Sequence, residues 1–191
     1  LAAKAPADGY TLFMTSGSIV TANQHMYRKL SWNPEKDLVA ITNVASGPQI
    51  VAVHPSFPAK DYKTFLEVIK KNPGKYSFAS SGTGGIGHLQ MELFKSLSNT
   101  FITHIPYRGA GPALQDLVAG QVDMMFDGLG SSATHIKSGR IRAIAVAHNK
   151  PAPGFAEVPL AKAGGAPNYE VATWYGLWAP KGTPRELVTA M

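Results

Sequence analysis

The sequence predicts an α/β protein in which a largely parallel sheet carries helices on both faces. Three observations lead there. Strand-like and helix-like segments alternate at short spacing through the middle of the 191-residue chain. Turns rich in glycine and serine follow the strands and open the helices. Apolar residues make up 45% of the chain against 16% charged, enough hydrophobic surface for a real core.

Each element has its own signal. Residues 1–9 read as the tail of a helix, broken by Pro6 and turned by Asp8-Gly9. Residues 10–16 are apolar and β-prone, and Ser16-Gly17-Ser18 leads into a helix over 19–27. Strands follow at 38–44 and 49–54, parted by Ser46-Gly47-Pro48. Tyr62, Phe65, Leu66 and Ile69 at helical spacing predict a helix over 61–71, ended by Asn72-Pro73-Gly74. The pattern then repeats: a strand at 76–80 and a helix over 87–97, then a strand at 101–107. A helix over 112–119 has Pro112 at its first position. A strand at 121–127, a helix over 131–138 and a strand at 141–148 complete the run. Residues 150–167 are rich in Pro and Gly without periodicity, and 171–179 form one more strand. Thr183, Pro184 and Glu186 are a helix-start signature, with Thr183 as cap and Glu186 completing a capping box. A chain that starts at the end of one element and stops inside another reads as a fragment. The unbroken alternation, flanked by orphan elements, predicts two lobes: residues 1–45 with 172–191, and residues 46–171.

Composition removes several classes of function. The net charge is +6, yet Lys and Arg are scattered, and the densest group, Lys70, Lys71 and Lys75, has no interleaved aromatics. No nucleic-acid partner is expected from that pattern; the field favours small anions instead. With no Cys, disulfides, thiol nucleophiles and zinc–thiolate sites are excluded, and the redox compartment stays open. No run of about 18 apolar residues occurs, so no membrane-inserted helix is expected. The His residues at 25, 54, 88, 104, 135 and 148 show no H-x-x-x-H or H-x-H spacing, so no metal is expected. There is no G-x-S-x-G elbow, and Ser81, His88 and Asp127 match no triad order, so no catalytic residue is assigned. Asp123 and Asp127 share a strand face, where a strand-end Asp orients neighbouring amides.

The turns carry the chemistry. In the stretch from Ser80 to His88, Gly82, Gly84 and Gly87 satisfy G-x-G-x-x-G. A dinucleotide site also needs an acidic residue about 20 positions on, where this chain has Tyr107 and Arg108. A tight turn needs one or two glycines; Gly82, Gly84, Gly85 and Gly87 together point to close approach by a ligand. Helix N-termini favour anions, and Ser81 and Thr83 add hydroxyls. His88 has two readings, donor to a carboxylate or packing at the helix start. The design recurs in Thr15-Ser16-Gly17-Ser18, in Tyr107-Arg108-Gly109-Ala110-Gly111-Pro112 and around Asp127. Such turns lie at the carboxyl ends of strands, where open sheets bind ligands. Trp174 and Trp178 share a strand face and read as core.

A resemblance then covers nearly the whole chain. Ala7-Asp8-Gly9-Tyr10-Thr11-Leu12, Asn33-Pro34-Glu35-Lys36-Asp37-Leu38, Ser81-Gly82-Thr83-Gly84 with His88, and Pro106-Tyr107-Arg108-Gly109 occur in order. Asp116-Leu117, Gly120-Gln121-Val122 and Trp174-Tyr175-Gly176-Leu177-Trp178-Ala179-Pro180 follow. This series resembles the Bug family, the substrate-binding receptors of tripartite tricarboxylate transporters. The resemblance implies a periplasmic protein of the type II periplasmic-binding-protein fold, closing on a small carboxylate, an organic acid or an amino acid, in an interlobe cleft. It implies no enzyme activity and no cofactor, with membrane transporter subunits as transient partners. Carried over by position, the ligand-binding residues are Thr15, Ser16, Gly17, Ser18, Ser81, Gly82, Thr83, Gly84, Gly85, His88, Tyr107, Gly109 and Asp127. Against the family pattern, an N-terminal strand–loop–helix unit and a C-terminal part are expected to be missing. Two alternatives remain: an NAD(P)-dependent oxidoreductase using residues 82–87, and a ligand-sensing domain of a regulator.

Overall fold

The alternating middle of the chain folds as successive strand–helix units. The structure is a computed structural model that describes residues 1–164 and 169–191. Gly165, Ala166 and Pro167, the end of the Pro/Gly-rich stretch expected at 150–167, lie outside the described residues. The chain divides into a smaller unit, Leu1–Ser46 with Thr173–Met191, and a larger one, Gly47–Ala172.

The chain opens with a short 3-10 turn, Ala2–Lys4, then β1 (Phe13–Ser16), α1 (Gly17–Thr21), α2 (Asn23–Met26) and α3 (Pro34–Asp37). A single long strand, β2 (Leu38–Val53), enters the larger unit, followed by α4 (Tyr62–Lys71) and β3 (Ser77–Ser80). Next come α5 (Ile86–Ser98), β4 (Thr103–Pro106), α6 (Ala110–Val118), β5 (Met124–Gly128), α7 (Leu129–Lys137) and β6 (Arg142–Val146). The chain returns through β7 (Ala172–Pro180) to α8 (Arg185–Ala190).

In the larger unit, side-chain alternation builds two apolar layers, one on each face of the sheet. Val51, Val53, Phe78, Met124 and Phe126 meet Phe65 and Ile69 of α4 and Met91 and Phe94 of α5. On the opposite face Ile50, Ala52, Ala79 and Met125 meet Ala113, Leu114 and Leu117 of α6. Each fully buried Phe, Leu or Met contributes about 1.5–3 kcal/mol relative to exposure. Asp61 starts α4 through a capping box: its carboxylate accepts the Thr64 amide at 2.8 Å, and Thr64 Oγ1 accepts the Asp61 amide at 3.4 Å.

The sheet is mixed rather than largely parallel. β3 pairs parallel with β4 and β5, whereas β2 pairs antiparallel with β5 and β6. Alternation of apolar residues reports which face a side chain takes but not strand direction, so the sequence did not reveal this reversal. In the smaller unit β1 pairs antiparallel with β7, with Thr15 opposite Gly176.

Other expectations shift for local reasons. The strands expected at 38–44 and 49–54 are one, since Thr42–Ser46 is exposed and an extended segment there tolerates Gly47-Pro48. The helix expected over 19–27 is two short ones, α1 and α2. α3 was not foreseen; Asn33 Oδ1 caps it by accepting the Glu35 and Lys36 amides at 2.9 and 3.0 Å. α6 begins at Ala110, which puts Pro112 at the third helical position, where the amide needs no intrahelical partner. The capping box expected at Thr183 is absent: its buried hydroxyl turns back to donate to the Pro180 carbonyl at 2.8 Å.

Candidate functional site

Three parallel strands deliver three helix starts to one edge of the larger unit. Ser80 pairs with Pro106 and Ala79 with Met125, so the ends of β3, β4 and β5 lie side by side. The helices that follow share one feature. α5, α6 and α7 have glycine as N-cap, Gly85, Gly109 and Gly128, and no side chain caps any of them. α3 and α4, which begin elsewhere, are both capped by their own side chains. A helix start without an intrinsic cap leaves its first-turn amides and its positive dipole end for an outside acceptor.

The turn after β3 is tightly organised. Gly82 and Gly84 have φ of 141° and 82°, conformations that favour glycine. The Gly82 amide donates to Ser80 Oγ at 3.2 Å, the Gly85 amide to the Gly82 carbonyl at 3.2 Å, and the Gly84 amide to His88 Nδ1 at 3.1 Å. These three amides, expected from the sequence to face a ligand, are therefore engaged in building the turn. Ser81 and Thr83 are exposed. Gly87 has a separate reason: a Cβ there would lie 2.2 Å from the Phe126 carbonyl oxygen, so α5 packs directly on β5.

The neighbouring turns lock onto the first. The Tyr107 and Gly109 amides donate to the Ser80 and Ser81 carbonyls at 3.0 and 3.1 Å. The Tyr107 hydroxyl donates to Asp116 at 2.7 Å, and burial together with that carboxylate pushes it up to about 12. It latches α6 rather than facing outward. Asp127 is buried and accepts the Ser131 and Ser132 hydroxyls at 2.6 and 2.7 Å. Burial raises its pKa, against the lowering effect of those bonds. It orders the start of α7. Around these turns, Gly111 and Gly130 have nothing within 4 Å of a built Cβ, so the backbone there is open to close approach.

In the smaller unit, Thr15 and Ser16 end β1, and Ser18 is buried in the first turn of α1 with its Oγ 3.2 Å from Ser16 Oγ. Gly17 serves packing: a Cβ would sit 2.2 Å from the Trp174 ring. Trp174 lies 6.0 Å from Trp178, which packs against Phe13.

Sequence reasoning placed Ser80 and Asp116 in its motifs but gave neither side chain a role, and gave none to His104; the three carry the polar network behind the turns. His104 Nε2 lies 2.7 Å from Ser80 Oγ, and its ring stacks on His88 and Phe78 at centroid distances of 4.2 and 4.6 Å. The available signal was strand parity: His104 shares a face with Pro106, beside Ser80. Among the described residues no cluster of His, Asp or Glu is placed to hold a metal ion, and no helix is long and apolar enough to cross a membrane.

The model of the tripartite tricarboxylate transporter family receptor matches residues 1–191. The chain belongs to that family. These are solute-binding receptors rather than enzymes. The UPF0065 protein in the tcbD-tcbE intergenic region of Pseudomonas sp. strain P51 is 40% identical over 189 residues, 98% of this chain and 56% of that protein. An R. palustris protein solved with adipate is 34% identical, with a TM-score of 0.96 over 99% of this chain and 63% of that one. MatC from Rhodopseudomonas palustris, with bound malate, is 31% identical, with a TM-score of 0.92 over 98% of this chain and 64% of that one. The chain thus spans less than two thirds of the length of each of these proteins.

Proposed function

We propose that the protein is an extracytoplasmic receptor, working in the periplasm, that captures a small carboxylate for uptake by a membrane transporter. The observation that carries this reading is the edge of β3, β4 and β5, where three glycine-capped helix starts lack side-chain caps. Donor-rich and without a metal-binding cluster among the described residues, that edge suits an organic or amino acid held by amides and hydroxyls. Ser81 and Thr83 are its exposed hydroxyls, Gly82, Gly84, Gly85, Tyr107, Gly109 and Asp127 hold its shape, and Thr15, Ser16 and Ser18 repeat the design in the smaller unit. The two units correspond in this reading to the two lobes of the receptor.

Calorimetry with malate, adipate and NAD tests it. Binding of an acid without binding of NAD is expected; binding of NAD alone would favour the oxidoreductase reading. A hydrogen bond to a charged group contributes about 1.5–3 kcal/mol, so Thr83→Ala should weaken acid binding roughly 10-fold to 100-fold. Gly84→Val should be worse, because its φ of 82° already disfavours any side chain. Unchanged affinity in both variants would move the site away from this turn.

A further inference from the structure

The glycine turn is held from below by a stack of three rings. His88 lies over His104 with planes 13° apart, and His104 lies over Phe78 with planes 15° apart. His88 reaches one glycine of the turn directly, and His104 reaches another through Ser80. His88 Nδ1 accepts the Gly84 amide at 3.1 Å. His104 Nε2 meets Ser80 Oγ at 2.7 Å, and that hydroxyl accepts the Gly82 amide and donates to the Gly82 carbonyl, both at 3.2 Å. An Nδ1 that accepts must carry a lone pair, which places the His88 proton on Nε2, on the side of Glu92 Oε1 at 3.8 Å.

We infer that His88 is a positioning residue for the anion turn: its Nδ1 lone pair fixes the Gly84 amide, and with it the carboxylate affinity of the turn. The inference rests on the carboxylate reading above. A hydrogen on Nδ1 would set donor against donor at the Gly84 amide, so the 3.1 Å contact requires the lone pair there. The charged groups facing His88 are few. Glu92 and Lys95 share its helix, with Lys95 Nζ on Glu92 at 2.8 Å. His104 faces it from β4, and burial with the His88 ring pushes His104 down to about 4, so it stays uncharged in the neutral range. On β5, Asp127 is occupied by Ser131 and Ser132.

Two variants separate the roles. His88→Asn presents Oδ1, an acceptor, at the same bond count from Cα as Nδ1. His88→Ala should weaken binding of malate or adipate about 3-fold to 10-fold, the worth of one neutral hydrogen bond. His88→Asn should restore affinity to within about twofold of the parent, since the acceptor is restored. Equal loss in both variants, or none in either, would overturn the inference. A ligand-independent readout keeps the two readings distinct. In the parent the Gly84 amide proton should be protected from exchange; that protection should vanish in His88→Ala and persist in His88→Asn. If no acid binds the parent, the carboxylate reading fails, and the Gly84 amide alone decides the positioning role.

Discussion

His104 is pushed down to about 4 from 6.5, first by burial and then by the His88 ring. A base whose pKa falls on folding binds fewer protons folded than unfolded, so the fold loses stability as pH drops from 6.5 towards 4. His104→Phe keeps an aromatic ring in the stack and should flatten that acid limb, measured as thermal midpoint against pH. Asp127 behaves in the opposite sense. Burial raises its pKa, so its ionised form weakens the fold once pH passes the unfolded carboxylate range. Asp127→Asn retains an oxygen for the serine hydroxyls; its melting midpoint should match or exceed the parent's at neutral pH, with the gap closing on acidification. Gln90 is a third case, buried on α5 with neither carboxamide atom partnered among the described residues. Replacing such a group with an apolar side chain of similar shape removes a desolvation penalty of about 1–3 kcal/mol. Gln90→Met should therefore raise the denaturant midpoint without changing the slope.

Helix α5 sits so close to β5 that its second residue has no room for a methyl group. A Cβ at Gly87 would meet a backbone oxygen at 2.2 Å, and backbone cannot swing aside. Gly87→Ala should cost about 1–3 kcal/mol, seen as a lowered melting midpoint. Gly130 in the first turn of α7 is the control, since nothing lies within 4 Å of its built Cβ and Gly130→Ala should be neutral or stabilising. Such contrasts mark what the sequence reveals about elements and what it withholds. The strand–helix repeat was legible because Phe65, Ile69, Phe94 and Leu117 fall at spacings that only one secondary structure buries. The glycine-rich turns were legible as strand-to-helix turns. Partner choice within them was not: nothing local to Gly84 says that its amide meets His88, or that Tyr107 turns to Asp116. Those pairings depend on φ values and on strands brought together from distant parts of the chain.

At the scale of the molecule, the two apolar layers belong wholly to the larger unit. Within the smaller unit, buried apolar side chains reduce to Leu38, Trp178, Ala179 and Pro180 among those described. Local opening follows buried contact, so amide exchange should rank β3, β5 and the second half of β2 slowest, and β1, α1 and α2 fastest. Hydrogen-exchange mass spectrometry reads this directly; a smaller unit as protected as the larger would mean that its stability comes from a source other than its own core.

The uncapped helix starts have a consequence for discrimination among solutes. An edge that presents N–H and O–H groups counts lone pairs. A carboxylate supplies them on both oxygens, while the corresponding primary amide replaces one oxygen with two further hydrogens and sets donor against donor. Each buried group so mismatched costs about 1–3 kcal/mol, enough to reject an isosteric neutral analogue that fills the same volume. In the carboxylate reading, the three glycine caps amount to a test for charge: an acid can accept from the first-turn amides, whereas its primary amide sets a donor against them.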